Sequence, residues 1–141
     1  MGGIQPAAVS GVLAERHILV VEDQALLADL AQDILLDAGA GSVMVALNIA
    51  QALKHLEGPQ LPDIAMIDLN LNDEGGGNPV FGSQLAEDLI RRGIPFIFAT
   101  GYGLSAAMPE SLRGIPVLPK PYTSDMLVDL LRQTLAAHAR A

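Results

Sequence analysis

Apolar residues in this chain fall into two kinds of run. Short blocks such as HILVV (17–21), IAMI (64–67) and PFIFA (95–99) lack polar alternation, the mark of strands covered on both faces. Between them, apolar residues recur at helical spacing: Leu26, Leu27, Leu30, Ile34 and Leu35; then Ile49, Ala52, Leu53 and Leu56; then Leu85, Ala86, Leu89 and Ile90; and last Met126, Leu127, Leu130, Leu131 and Leu135. Two weaker apolar runs, 42–47 and 115–118, read as further short strands.

The punctuation agrees with this division. Gly39, Gly58 with Pro59, and Gly93 are placed to end helices, while Asn48 and Thr123 are placed to start them. Three consecutive glycines and Pro79 in NLNDEGGGNPV (70–80) exclude regular structure after the third strand and allow backbone to approach a ligand closely. Between 102 and 114, Gly103, Pro109 and Gly114 predict a fourth helix that is short, frayed or missing. Five strands alternating with helices predict an α/β, doubly wound parallel sheet with right-handed crossovers.

A chain of 141 residues, half of them apolar, fits one domain. Residues 1–15 have neither a basic start nor a long apolar core and read as a flexible lead-in, leaving 16–141 as the domain. No apolar run is long enough to span a membrane, and there are no cysteines. These features predict a cytoplasmic protein without disulfides or cysteine-ligated zinc. A net charge of −8 with only eight Lys and Arg argues against nucleic acid as a partner.

Candidate chemistry gathers at the carboxyl ends of the predicted strands. The first ends in Glu22 and Asp23, the third in Asp68, the fourth in Thr100, and the fifth leads to Lys120. Alone, Asp68 could simply start a loop, Thr100 could be a strand-end hydroxyl and Lys120 a solvated charge. If the strand order is 2-1-3-4-5, however, strands one and three are neighbours, Glu22, Asp23 and Asp68 converge between them, and ligands bind at that switch point. Like charges about 4 Å apart repel by roughly 4 kcal/mol at an effective dielectric near 20, so three converging carboxylates call for a divalent cation. Oxygen-only donors suit Mg²⁺ completed by a phosphate, and a hydroxyl and an ammonium complete a phosphoryl-transfer set. His17, His55 and His138 share no spacing and read as surface or strand-edge residues.

The strings VVED (20–23), PDIAMIDLNL (62–71), FATG (98–101) and PKP (119–121), in this order and spacing, resemble the receiver domain of two-component response regulators over about residues 16–138, which implies a flavodoxin-like five-stranded sheet of order 2-1-3-4-5. PFIFATGYG (95–103) further resembles the FATGUY branch, usually single-domain proteins tied to bacterial stress and sensory signalling. The resemblance implies that Asp68 accepts a phosphoryl group from a histidine kinase or phosphotransfer protein. It also implies that Glu22, Asp23, Asp68 and the backbone carbonyl of Asn70 bind Mg²⁺, with Thr100 and Lys120 contacting phosphoryl oxygens. Such a protein carries out its own phosphorylation and dephosphorylation without being an enzyme acting on a separate substrate. It signals to a downstream protein or serves as a phosphate sink.

The Lys120–Pro121 bond matches one that is often cis in this family. Val117 stands where many receivers have Phe or Tyr, which removes the usual aromatic switch and leaves Tyr102 to take part of its role. Asn72 replaces a common Pro. Two other readings remain: a receiver-like interaction module that works without phosphorylation, and a haloacid-dehalogenase-like phosphatase. The latter expects a second Asp where Asn70 stands.

Overall fold

The computed structural model describes residues 13–68, 83–100 and 114–139. The expectations for Asn70, Asn72, the glycine-rich loop, Tyr102 and the helix between strands four and five lie outside these residues.

Five strands, β1 (His17–Val21), β2 (Ser42–Ala46), β3 (Ile64–Asp68), β4 (Phe96–Thr100) and β5 (Val117–Pro119), form one sheet. All four pairings are parallel and the order is β2-β1-β3-β4-β5, as the sequence predicts. The described helices are α1 (Ala25–Asp37), α2 (Ile49–Leu56), α3 (Ser83–Arg92) and α4 (Ser124–Ala139).

Unalternated strands are explained by two cores, one on each sheet face. Leu19, Val21, Ala65, Ile67, Phe96 and Phe98 point to the side covered by α2 and α3, where Ala52, Leu56, Leu85 and Leu89 meet them. Ile18, Val20, Ile64, Met66, Ile97 and Leu118 point to the other, covered by Ala31 and Leu35 of α1 and by Leu127, Leu131 and Leu135 of α4. Successive side chains alternate between faces, so a strand buried on both must be apolar at every position. Phe96 and Phe98, on the same face, meet edge to face with centroids 5.6 Å apart.

The caps act as the sequence predicts. Asn48 Oδ1 accepts from the Gln51 amide at 2.8 Å and Thr123 Oγ1 from the Met126 amide at 3.1 Å, each satisfying a helix-end donor. Gly39 (φ 101°) and Gly93 (φ 74°) take the left-handed conformation that turns the chain out of α1 and α3.

The buried face of α1 differs from the predicted one. It consists of Ala28, Ala31 and Leu35, whereas Leu26 and Leu30 are 72% and 51% exposed. Small residues let the helix lie close to the sheet, so the alanines rather than the bulkiest side chains mark its inner face. Ile90 and Met126, also expected to face inward, are exposed as well.

Residues 13–15, assigned to the lead-in from sequence, pack on the domain. Leu13 is buried in the α1/α4 core, and the Glu15 amide donates to the Gly39 carbonyl at 3.1 Å. Gly41 lies against this turn so closely that a Cβ there would come within 2.8 Å of the Glu15 carbonyl carbon and oxygen.

Candidate phosphoryl-transfer site

Sheet register assembles the site. Val21 lies opposite Ile67, so the next residues, Glu22 and Asp68, leave adjacent strands side by side. Asp68 is itself opposite Ala99, which puts Thr100 one step further along β4. Thr100 is opposite Pro119, and Lys120 follows. Its amide donates to the Thr100 carbonyl at 2.7 Å, continuing the ladder to the start of the cis Lys120–Pro121 bond. Asp68 and Thr100 end their strands, and Glu22, Asp23 and Lys120 follow theirs within two residues, so all five stand at one sheet edge.

Glu22, Asp23 and Asp68 each offer an oxygen, and the three oxygens lie within 4.8 Å of one another. Lys120 Nζ lies 3.0 Å from Glu22 Oε1 and 3.3 Å from Asp68 Oδ1. Glu22, Asp68 and Thr100 are buried, Asp23 and Lys120 half-buried. The Glu22 amide donates to the Ala46 carbonyl at 3.0 Å, and the Gln24 amide to Glu22 Oε2 at 3.3 Å, which fixes this carboxylate at the sheet edge.

One ammonium cannot balance three carboxylates in so small a volume. Burial, and then the charge of Asp68, push the Glu22 carboxyl up to about 7 against the opposing pull of Lys120. Burial works against the Lys120 ammonium, but its hydrogen bond to Glu22 and the charges of Asp68 and Glu22 outweigh this and raise its pKa. A cation among these oxygens would relieve the same repulsion, and an all-carboxylate donor set fits Mg²⁺.

All the predicted site residues within the described part of the chain are therefore brought together. Tyr122 is a neighbour that strand-end reasoning does not reach. It follows Pro121, packs against the α1/α4 core, and has its phenol pushed up by burial, with Lys120, Glu22 and Asp68 near enough to act on it. Its place in the string PKPY, directly after the lysine turn, is the one signal of it in the sequence.

No family model matches the sequence. Solved structures do match the fold. A CheY-like response regulator receiver domain protein from Methanospirillum hungatei is 24% identical with a TM-score of 0.73, over 90% of this chain and 98% of that one. The N-terminal domain of a response regulator/sensory box/GGDEF protein from Carboxydothermus hydrogenoformans is 23% identical with a TM-score of 0.72, over 89% and 98%. A variant of the anti-anti-sigma factor PhyR from Bartonella quintana is 22% identical with a TM-score of 0.74, over 99% of this chain and 56% of that one. The chain has the flavodoxin-like fold of response-regulator receiver domains.

Proposed function

We propose that this domain is a phosphoryl acceptor of two-component signalling and that Asp68 is the residue modified. The observation that carries the reading is the placement of Asp68 at the switch point, clustered with Glu22 and Asp23 and 3.3 Å from Lys120. An Asp68 carboxylate oxygen attacks the phosphorus of a phosphohistidine on a histidine kinase or phosphotransfer protein. The O–P bond forms as the P–N bond breaks, and the electron pair returns to the imidazole, which takes up a proton from solvent. Thr100 and Lys120 hold the phosphoryl oxygens through the hydroxyl and the ammonium.

Glu22, Asp23 and Asp68 would hold Mg²⁺, with the Asn70 carbonyl as a further ligand on the strength of the family resemblance. When bound, the ion supplies positive charge that offsets the carboxylates and the charge on the transferred group. Phosphorylation then biases a two-state equilibrium read by a protein partner on the β5 and α4 face, or drains phosphoryl groups from a kinase. The likeness to PhyR, one of whose structures is described as a stress response regulator, supports a place in stress signalling.

Incubation with acetyl phosphate and Mg²⁺, followed by intact mass, should add one phosphoryl group to the wild type and none to Asp68→Ala. Equal labelling of the two proteins would remove Asp68 from the role. No labelling of either would favour a receiver-like module that works without phosphorylation.

A further inference from the structure

The two edges of the sheet are not equivalent. β5 has three residues and ends in Pro119, whereas β2 has five, SVMVA, with neither a proline nor a charge among them. Edge strands of the second kind offer backbone groups to another chain unless something blocks them.

Backbone directions follow from the ladder. The Ala46 carbonyl accepts from the Glu22 amide and the Ser42 amide donates to the Arg16 carbonyl, so even-numbered residues of β2 turn their polar groups toward β1. With a period of two, Val43 and Val45 turn theirs outward. Among the described residues β2 pairs with β1 alone. The next outward amide, that of Leu47, donates to Gln51 Oε1 at 2.8 Å and closes the edge at that end.

Beside this edge lies a groove of about 390 Å³ lined by Met44, Lys54, His55, Gly58, Pro59 and Gln60, with Gln51 at its end. Its rim carries an unusual charge. Arg16, Arg91, Arg92, Arg132 and Lys120 each have a carboxylate partner. Lys54 is exposed and, among the described residues, is the one Lys or Arg in no ion pair, even with Glu57 in the next turn of the chain. On a chain of net charge −8, a backbone edge that is open among the described residues therefore lies beside a lysine held in no ion pair and a mainly apolar groove.

We propose that the outer edge of β2 takes an acidic, extended segment of a partner protein as a sixth strand. Main-chain hydrogen bonds would form at Val43 and Val45, an apolar side chain would enter the groove against Met44 and Pro59, and a carboxylate would meet Lys54 beside His55. This face lies at the opposite edge of the sheet from β5 and Lys120, and its use does not depend on phosphorylation of Asp68.

The test uses the full unphosphorylated chain and the peptide acetyl-Glu-Val-Glu-Leu-Asp-Val-Glu-amide, with a counterpart in which every acid is lysine. Backbone NMR titration should show the acidic peptide shifting the amides of 43–45 and 54–55 and slowing exchange at Val43 and Val45, while the basic counterpart leaves them unchanged. Lys54→Glu replaces attraction with repulsion and should weaken the acidic peptide about tenfold while leaving the rest of the spectrum in place. Val45→Pro removes an outward donor without touching the β1 ladder and should weaken binding independently.

Equal binding of both peptides, binding that survives both substitutions, or no shifts at all would overturn the proposal. Concentration-dependent protection of Val43 and Val45 without peptide would also overturn it, by identifying the occupant as a second copy of this chain.

Discussion

The ammonium of Lys120 is shared between Glu22 and Asp68, 3.0 Å from an oxygen of the first and 3.3 Å from an oxygen of the second. One cation therefore bridges the acid that follows β1 and the acid at the end of β3, and so ties the far edge of the sheet to its middle.

Removing that cation should affect both chemistry and stability, with different pH dependences. Lys120→Met should slow phosphorylation by acetyl phosphate by roughly 10²-fold or more, the usual effect of deleting one group that stabilises developing oxygen charge. Stability should fall by a few kcal/mol where Glu22 is ionised, about what stranding a buried charge costs, and the loss should shrink as pH falls toward neutral, because Glu22 without its cation takes up a proton more readily than in the wild type. Intact-mass time courses and urea unfolding at two pH values separate the two effects. An unchanged labelling rate would remove Lys120 from the transfer step.

Glu22 predicts the sign of a pH dependence. Its carboxyl is raised from 4.5 to about 7 in the folded protein, so between these values the native state binds more protons than the unfolded state. Stability without divalent cations should therefore fall as pH rises through this window, by an amount on the order of 3 kcal/mol. Urea unfolding in EDTA at about pH 5 and about pH 8 should show this loss in the wild type and a flatter response in Glu22→Gln. The same slope in both proteins would refute the assignment.

Magnesium should reverse the loss. At a concentration about 100 times its Kd the ion should stabilise the fold by about 2.7 kcal/mol, and its affinity should rise with pH as Glu22 ionises. Thermal unfolding with and without Mg²⁺ measures the effect, and Asp23→Asn should reduce it sharply.

Packing at the first turn gives a contrast between two glycines. Gly41→Ala should cost roughly 1–3 kcal/mol, because its Cβ would press on the backbone of Glu15 at 2.8 Å. A methyl at Gly58 would have the His55 carbonyl oxygen as its nearest neighbour, at 3.4 Å, an ordinary contact, so Gly58→Ala should be close to neutral. Urea midpoints compare the two.

Leucines on one helix should also divide. Leu35→Ala should cost about 2–5 kcal/mol, since Leu35 is buried against the sheet, while Leu26→Ala should change stability little because Leu26 is 72% exposed. Similar losses for both would restore the face that periodicity predicts for α1.

The strands and the polar residues at their ends are readable in the sequence because both follow from short, local signals, whereas the strand order comes with the family resemblance. Ile64 to Ile67 lack alternation, which requires cover on both faces, and Glu22, Asp68, Thr100 and Lys120 each stand where such a run stops. Helix orientation is less readable. Leu26 and Leu30 outweigh Ala28 and Ala31 in any count of apolar residues, yet the alanines face the sheet because close helix-to-sheet contact favours small side chains. Tyr122 escapes for a different reason: it has no chemistry apart from its neighbours, and only the turn after Lys120 brings it to the carboxylates. The inward packing of Leu13 depends on a left-handed Glu15, a conformation that composition does not signal.

The 2.7 Å hydrogen bond from the Lys120 amide to the Thr100 carbonyl has a mechanical consequence. The two strand ends that present the hydroxyl and the ammonium are yoked through their main chains, so they move as a single lever rather than as two independent arms. A pull on the Thr100 side of the pocket is delivered to β5, an outer strand of the sheet, with little slack for the intervening side chains to absorb.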